Sequence, residues 1–228
     1  MTVLRCRDLT RRYRRESREP VVAVNHADLD LDEGEFVSIV GPSGSGKTTL
    51  LGLLAGLEPA DEGEIHVLGH DLRRLSAVER ARLRQRRVGI VFQSFGLLAS
   101  LTAGENVSLP LALARRPEDE RRAKAEAAMR EVGLTISLHA RIDELSGGER
   151  QRVGIARALA ADPVVILADE PTGSLDVENG RLVLDVLTRA VRHRGISLLL
   201  VTHDPISAAR ADRRYRMTDG RLERDRAA

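Results

Sequence analysis

A single cysteine, Cys6, stands among the 228 residues, so no disulfide can close within the chain and the fold needs no oxidising compartment. Tryptophan is absent, and two tyrosines and three phenylalanines make up the whole aromatic complement. Long apolar runs are missing too. Pieces such as Leu198-Leu199-Leu200-Val201 are strand-length, far short of the ~18 uninterrupted apolar residues that a spanning helix needs. Lysine is nearly absent: Lys47 and Lys124 stand beside 34 arginines, a bias read here as genome composition. The net charge is only +2, too near balance for a general polyanion binder, so nucleic acid is not an expected partner. Arg5, Arg7 and Asp8 stand where a signal peptide would have its apolar region, which gives the expectation of a cytoplasmic protein. Apolar residues overall are not scarce. At 42% they exclude a disordered chain, and the length suits one domain, or one with two lobes.

Short β-rich runs alternate with longer helical stretches, the pattern of an α/β fold with a mostly parallel sheet. Residues 35–40 read as a strand that ends in a glycine-rich turn and leads into an apolar helix over 49–56. Residues 164–168 form an unbroken apolar run, the mark of a strand buried on both faces, and end at Asp169-Glu170. Residues 197–202 form a third strand, ending at His203. The stretch 115–132 is rich in Arg, Glu and Ala and reads as exposed helix. A helical lobe is expected over 94–160, inserted into an α/β core made of 1–93 and 161–228. The polar tail from Arg210 onward is expected to be a short hairpin and a frayed end.

Gly41-Pro42-Ser43-Gly44-Ser45-Gly46-Lys47-Thr48 fits the pattern G-x-x-x-x-G-K-[ST]. Glycines let successive backbone N–H groups curl around a phosphate chain without Cβ clashes, and the following helix aims its N-terminal dipole at the same anion. Lys47 adds a point charge for the β- and γ-phosphates, and the Thr48 hydroxyl is placed to ligate Mg²⁺. With Thr49, these residues are the expected nucleotide contacts. A plain glycine-rich turn is the weaker reading, because a strand precedes the motif and a helix follows it.

Asp169 and Glu170 lie at the carboxyl end of a strand, the edge where open parallel sheets bind ligands. Asp169 is the expected Mg²⁺ carboxylate, directly or through water. Glu170 points another way and is placed to polarise an attacking water. His203 ends the next strand at the same edge, where it either caps the strand or donates to a γ-phosphate. Gln93 follows Gly89-Ile90-Val91-Phe92, and its amide either ligates Mg²⁺ or orients water.

Leu145-Ser146-Gly147-Gly148-Glu149-Arg150-Gln151-Arg152 is the most discriminating stretch. Physically it is a helix N-terminus whose Ser and two Gly offer donors and close backbone approach to an anion. It is also a capping box, with Glu three residues after Ser, and both readings use the same free N–H groups. Taken in order, the phosphate loop, Gln93, this stretch, the LADEPT run, Ser174-Leu175-Asp176 and His203 make the chain resemble the ATP-binding subunit of ABC transporters over nearly its full length. The resemblance implies a P-loop NTPase core with a mostly parallel sheet, an N-terminal antiparallel β portion and an inserted helical lobe. It implies a head-to-tail dimer with a second copy, each ATP held between one phosphate loop and the Ser146, Gly147 and Gly148 of the other chain. Residues 174–176 would cross that interface, and Tyr13 falls where the family places the aromatic that stacks on adenine.

Phe92-Gln93-Ser94-Phe95-Gly96-Leu97-Leu98 and the run from Leu101 to Val107 look like the lipoprotein-release and macrolide-export group, which includes the cell-division ATPase FtsE. Three positions depart from that group: Ile142 replaces a usual proline, and Gly96 and Ser174 each replace a frequent asparagine. The resemblance implies a Mg²⁺-dependent ATP hydrolase that powers a separate integral-membrane permease from the inner face of the plasma membrane. An uptake ATPase is the alternative, and a non-transport relative a more distant one. Single-cassette length and a separation of 98 positions from Thr48 to Ser146, with no room for a long coiled coil, argue against the latter. A small P-loop kinase is disfavoured by Glu170 and the Ser146 stretch. The permease is expected beside Gln93. There Phe95, Leu97, Leu98 and Leu101 form either a docking cluster or lobe core, and Arg80, Arg82, Arg84, Arg86 and Arg87 face either acidic permease residues or solvent.

Overall fold

The computed structural model describes residues 1–15 and 18–225. Two long strands, β1 (Thr2–Arg15) and β2 (Arg18–Asp32), pair antiparallel. With β4 (Glu62–Val67) and β5 (His70–Asp71) they make a sheet of order β2-β1-β4-β5. Successive strand residues face opposite sides, and the sequence of β1 obeys that period. Leu4 and Cys6 turn inward beside Leu29 and Leu31, while Arg5 and Arg7 turn outward onto Asp30 at 2.9 and 2.6 Å.

The second sheet has the order β10-β9-β3-β8-β7-β6, from β3 (Phe36–Val40), β6 (Val88–Val91), β7 (Val165–Asp169), β8 (Ser197–Thr202), β9 (Arg213–Thr218) and β10 (Arg221–Arg224). All neighbours are parallel except β9 and β10. Every residue of β7 and β8 is buried, as their unbroken apolar runs require. Alternate residues feed two cores. Val37, Ile39, Leu167, Leu199 and Val201 pack toward the antiparallel sheet and α1 (Lys47–Leu54). Phe36, Ile166, Leu198 and Leu200 pack the other way, into the core shared by α3 (Ala103–Leu113), α4 (Glu118–Glu131), α5 (Gly147–Ala160) and α6 (Val177–Arg194). The arginine-rich α2 (Ala77–Arg87) precedes β6, and α7 (Pro205–Ala208) follows β8. Helices α3, α4 and α5 pack on one another between β6 and β7. Among the described residues no helix is long and apolar enough to cross a membrane.

Two local expectations change. The helix expected from 115 starts at Glu118, because Arg115 has a left-handed φ of 56° and Pro117 disfavours helix for the residue before it. The polar tail is more ordered than expected. Within Arg-Arg-Tyr-Arg-Met-Thr, Tyr215 and Met217 share the inward face and are buried, so β9 joins the central sheet beside β3. Asp219 and Gly220, with φ of 48° and 78°, turn the chain into β10. The frayed end expected beyond lies at 226–228, outside the described residues.

Candidate nucleotide site

The carboxyl ends of β3, β7 and β8 meet the amino end of α1 at one cleft of about 580 Å³. Its lining includes Tyr13, Ser43, Gly44, Gly46, Lys47, Thr48, Thr49, Gln93, Glu170 and His203, so most of the residues singled out by the sequence meet here. Gly46 precedes the first turn of α1 with φ of 104°. A Cβ there would lie 1.9 Å from the Ala23 carbonyl oxygen, which only glycine avoids. Lys47 is 6% exposed, and its ammonium donates to the carbonyls of Gly41 and Pro42, each at 2.9 Å. Tyr13 sits at another wall with Val21, Val22 and Ala23. Its hydroxyl donates to Glu58 at 2.5 Å, and the Arg11 guanidinium lies 4.9 Å over the ring.

The Thr48 hydroxyl donates to Asp169 Oδ1 at 3.2 Å, bringing together two oxygens of the type that hard cations take. Burial, with the adjacent Glu170 charge adding to it, pushes the Asp169 carboxyl above its usual range, while Thr48 and Lys47 pull the other way. Glu170 is 8% exposed and takes φ of 43°, a left-handed conformation that costs a non-glycine residue on the order of 1–3 kcal/mol. Three groups hold Oε2: the Thr202 hydroxyl at 3.2 Å, the His203 backbone N–H at 3.1 Å and His203 Nδ1 at 2.8 Å. Since a carboxylate only accepts, Nδ1 carries the proton in that bond. Oε1 is the oxygen left for other work, 3.8 Å from Lys47.

Ser146, Gly147 and Gly148 do not line this cleft; they start α5 elsewhere on the chain. The capping box forms as the sequence indicated: Glu149 N–H donates to Ser146 Oγ at 3.3 Å, and Ser146 N–H donates to Glu149 at 2.9 Å. A Cβ on Gly148 would meet Asn179 Oδ1 at 2.4 Å, so α6 requires glycine there. Farther along α5 lie Gln151, legible in the sequence only as part of the Ser146 stretch and without a role, and Arg157, which the sequence does not single out. Gln151 donates to the Phe92 carbonyl at 3.5 Å, and Arg157 donates to the carbonyls of Gly96 and Phe95 at 2.5 and 3.2 Å. They stand six residues apart, on one helix face with Gly154 between. That face grips the segment carrying Gln93, and burial lowers the Arg157 guanidinium below its ordinary value. Thr202 was also missed. Nothing in its type marks it, only its place before His203.

A second cleft of about 310 Å³ lies between α2, β6, α3 and α5. Its apolar lining includes Val88, Ile90, Phe92, Leu109, Pro110 and Leu113 and none of the cluster after Gln93, whose Leu97 packs against the core. Leu113 is 67% exposed. Arg80 and Arg84 also differ from expectation. Arg80 donates to Leu72 and Leu75 carbonyls and Arg84 to those of Ala55 and Gly56, pinning α2 to the core. Arg82, Arg86 and Arg87 are exposed.

The family model described as "ABC transporter" matches residues 24–173. A lipoprotein-releasing system ATP-binding protein LolD of Chromohalobacter salexigens is 41% identical over 98% of this chain and 94% of its own length. The LolD of Hydrogenovibrio crunogenus is 42% identical, covering 96% and 94%. Among solved structures, the dimeric ATP-binding cassette MJ0796 bound to ADP and Pi superposes with a TM-score of 0.91 at 36% identity, over 99% of this chain and 100% of that one. CbiO1 of Clostridium perfringens, part of the ABC transporter complex cbiONQ, has a TM-score of 0.84 at 27% identity, covering 97% and 87%.

Proposed function

The chain belongs to the ABC transporter family as an ATP-binding, ATP-hydrolysing subunit, and we propose that two copies, head to tail, hydrolyse ATP to drive an integral-membrane permease of the lipoprotein-release or macrolide-export type. The relatives' names support the transport class, and the dimeric cassettes support the paired state. In this reading the chain works in the cytoplasm, held to the inner face of the plasma membrane through the permease. Residues 94–160 act as a lobe distinct from the core of 1–93 and 161–228, a division supported by the mutual packing of α3, α4 and α5.

The phosphate loop, residues 41–48, binds the phosphates through its backbone N–H groups. Lys47 leaves the Gly41 and Pro42 carbonyls to meet the β- and γ-oxygens, and Tyr13 offers its ring to adenine. Ser146, Gly147 and Gly148 meet the ATP of the other copy, which accounts for their absence from the cleft of their own chain. Thr48 and Asp169 are the ligands proposed for Mg²⁺, with Gln93 beside them. Among the described residues no cluster of three or more His, Cys, Asp or Glu forms a metal cage. One carboxylate and one hydroxyl suit a hard cation that takes oxygen ligands. Mg²⁺ held by them would supply neutralisation of phosphate charge. Glu170 orients the attacking water through Oε1 while Thr202 and His203 fix Oε2. The Nε2 edge of His203 is left to face the γ-phosphate, to which it donates as the imidazolium, with both ring nitrogens protonated.

The permease is placed in the cleft between α2 and α3. The Arg157 and Gln151 bonds to residues 92–96 give a partner seated there a rigid connection to Gln93. The observation that carries the hydrolytic reading is Glu170, buried at a strand end with one oxygen fully engaged and the other directed to Lys47. Glu170→Gln is expected to bind ATP and to lose nearly all turnover, because the amide fills the same space without polarising water. Lys47→Ala is expected to weaken binding itself. Turnover and nucleotide affinity of both, alone and with the permease, test the assignment; wild-type turnover in the Gln variant would sink it.

A further inference from the structure

We propose that the turn between β9 and β10 sets the shape of the phosphate loop, with Gly220 as a positioning residue for nucleotide phosphates. The inference rests on the reading of residues 41–48 as the phosphate site. Gly220 is fixed from both sides: its carbonyl accepts the Asn25 N–H of β2 at 2.8 Å, and its own N–H donates to the Ser45 carbonyl at 3.0 Å. The peptide joining Ser45 to Gly46 is trans, so its C=O and N–H point in opposite directions. Holding the Ser45 oxygen on Gly220 therefore fixes the plane of that peptide and with it the direction of the Gly46 N–H, on a residue that lines the cleft as Gly220 itself does. An N–H held in one direction at the cleft is what a phosphate oxygen needs.

The contacts around this bond show how closely the tail backs the loop. A Cβ on Gly41 would lie 2.2 Å from the Met217 carbonyl oxygen, and one on Gly46 would meet Met217 Cε at 2.9 Å as well as Ala23. Met217 of β9, Ala23 of β2 and Gly220 thus form a wall against the loop, and Gly220 is its hydrogen-bonded point. With φ of 78° and the Val22 and Ala23 carbonyl oxygens 3.1 and 3.2 Å from the site of a Cβ, a side chain on Gly220 is strained and shifts the turn against β2 by a few tenths of an ångström. That movement carries its N–H away from Ser45.

Gly220→Ala is therefore expected to raise the dissociation constants of ATP and ADP about fivefold or more, the loss of one oriented hydrogen bond. The affinity for AMP, which lacks the β-phosphate, stays as in the wild type. Gly195→Ala is the matched control: Gly195 ends α6 with φ of 65° and has open space around it, so it carries similar backbone strain far from the loop. It lowers the melting temperature without moving any nucleotide affinity. Should Gly220→Ala fail to fold, Gly220→Asn, whose side chain accepts positive φ more readily, presses on the same two carbonyls. If the Gly220 variant behaves like Gly195→Ala, or weakens AMP as much as ATP, the positioning role is wrong. Lys47→Ala with unchanged ATP affinity would instead overturn the phosphate-loop reading itself.

Discussion

Glu170 and His203 are joined twice through one oxygen: Oε2 accepts the imidazole Nδ1–H at 2.8 Å and the His203 backbone N–H at 3.1 Å. The backbone contact survives any change of side chain, so the two contributions are separable. His203→Ala keeps Glu170 anchored by the main chain and by Thr202 but loses the ring proposed to face the γ-phosphate. Turnover should fall on the order of 10²-fold, the loss of one aimed donor. Thr202→Val, which removes only a fixing bond, should cost much less. Steady-state turnover of the pair checks the order; equal losses would mean that anchoring Glu170, not contacting phosphate, is what His203 does.

Burial, with the neighbouring Glu170 charge, favours the neutral form of the Asp169 carboxyl and so makes its charge costly. Asp169→Asn removes that desolvated charge and can keep the Thr48 bond. Without nucleotide at neutral pH the variant should melt at or above the wild-type temperature, while Mg²⁺-ATP hydrolysis is lost. Thermal melts and turnover measured on one preparation test both halves.

Cys6 is buried between its neighbours on β2 and β4, and burial pushes its thiol up to about 12. At pH 8 the folded chain then carries a thiolate fraction of only ~10⁻⁴, whereas an unfolded cysteine near pKa 8.5 reacts readily. Alkylation should be negligible in buffer and should rise through the denaturant midpoint. A rate in buffer equal to that of the unfolded chain would contradict the burial.

At the proposed permease cleft, Leu113 is exposed and makes no demand on the core. Leu113→Glu should leave melting temperature and ATP affinity unchanged and abolish stimulation of turnover by the permease. Crosslinks mapped from the purified pair should fall on Phe92, Leu109 and Leu113; contacts around the C-terminal hairpin would move the docking face elsewhere.

What the sequence reveals follows from how local each signal is. The β3–loop–α1 unit is legible because strand, glycines, lysine and helix are contiguous, and the all-apolar 164–168 run announces a doubly buried strand. The Ser146 cap is legible for the same reason. By contrast, the grip of Arg157 on residues 95 and 96 joins positions more than sixty apart in the chain, and nothing in an Ala-Arg-Ala context marks it. The arginines of α2 read as one charged face, yet Arg80 and Arg84 turn inward to carbonyls that only the folded chain brings near. The tail from Arg210 looks polar because β9 buries just two side chains, Tyr215 and Met217. Its backbone, which sequence hydropathy does not weigh, is what reaches the phosphate loop.

The central claim is that ATP is held between two copies, so the most direct measurement is the nucleotide-dependent mass of the Glu170→Gln chain by light scattering. Hydrolysis being blocked, the chain should be dimeric with saturating ATP and monomeric with ADP, because the γ-phosphate is what Ser146 and Gly148 of the second copy would hold. Adding Ser146→Arg should return the ATP-bound chain to monomer. A dimer that forms equally with ADP, or that Ser146→Arg leaves intact, would contradict the account.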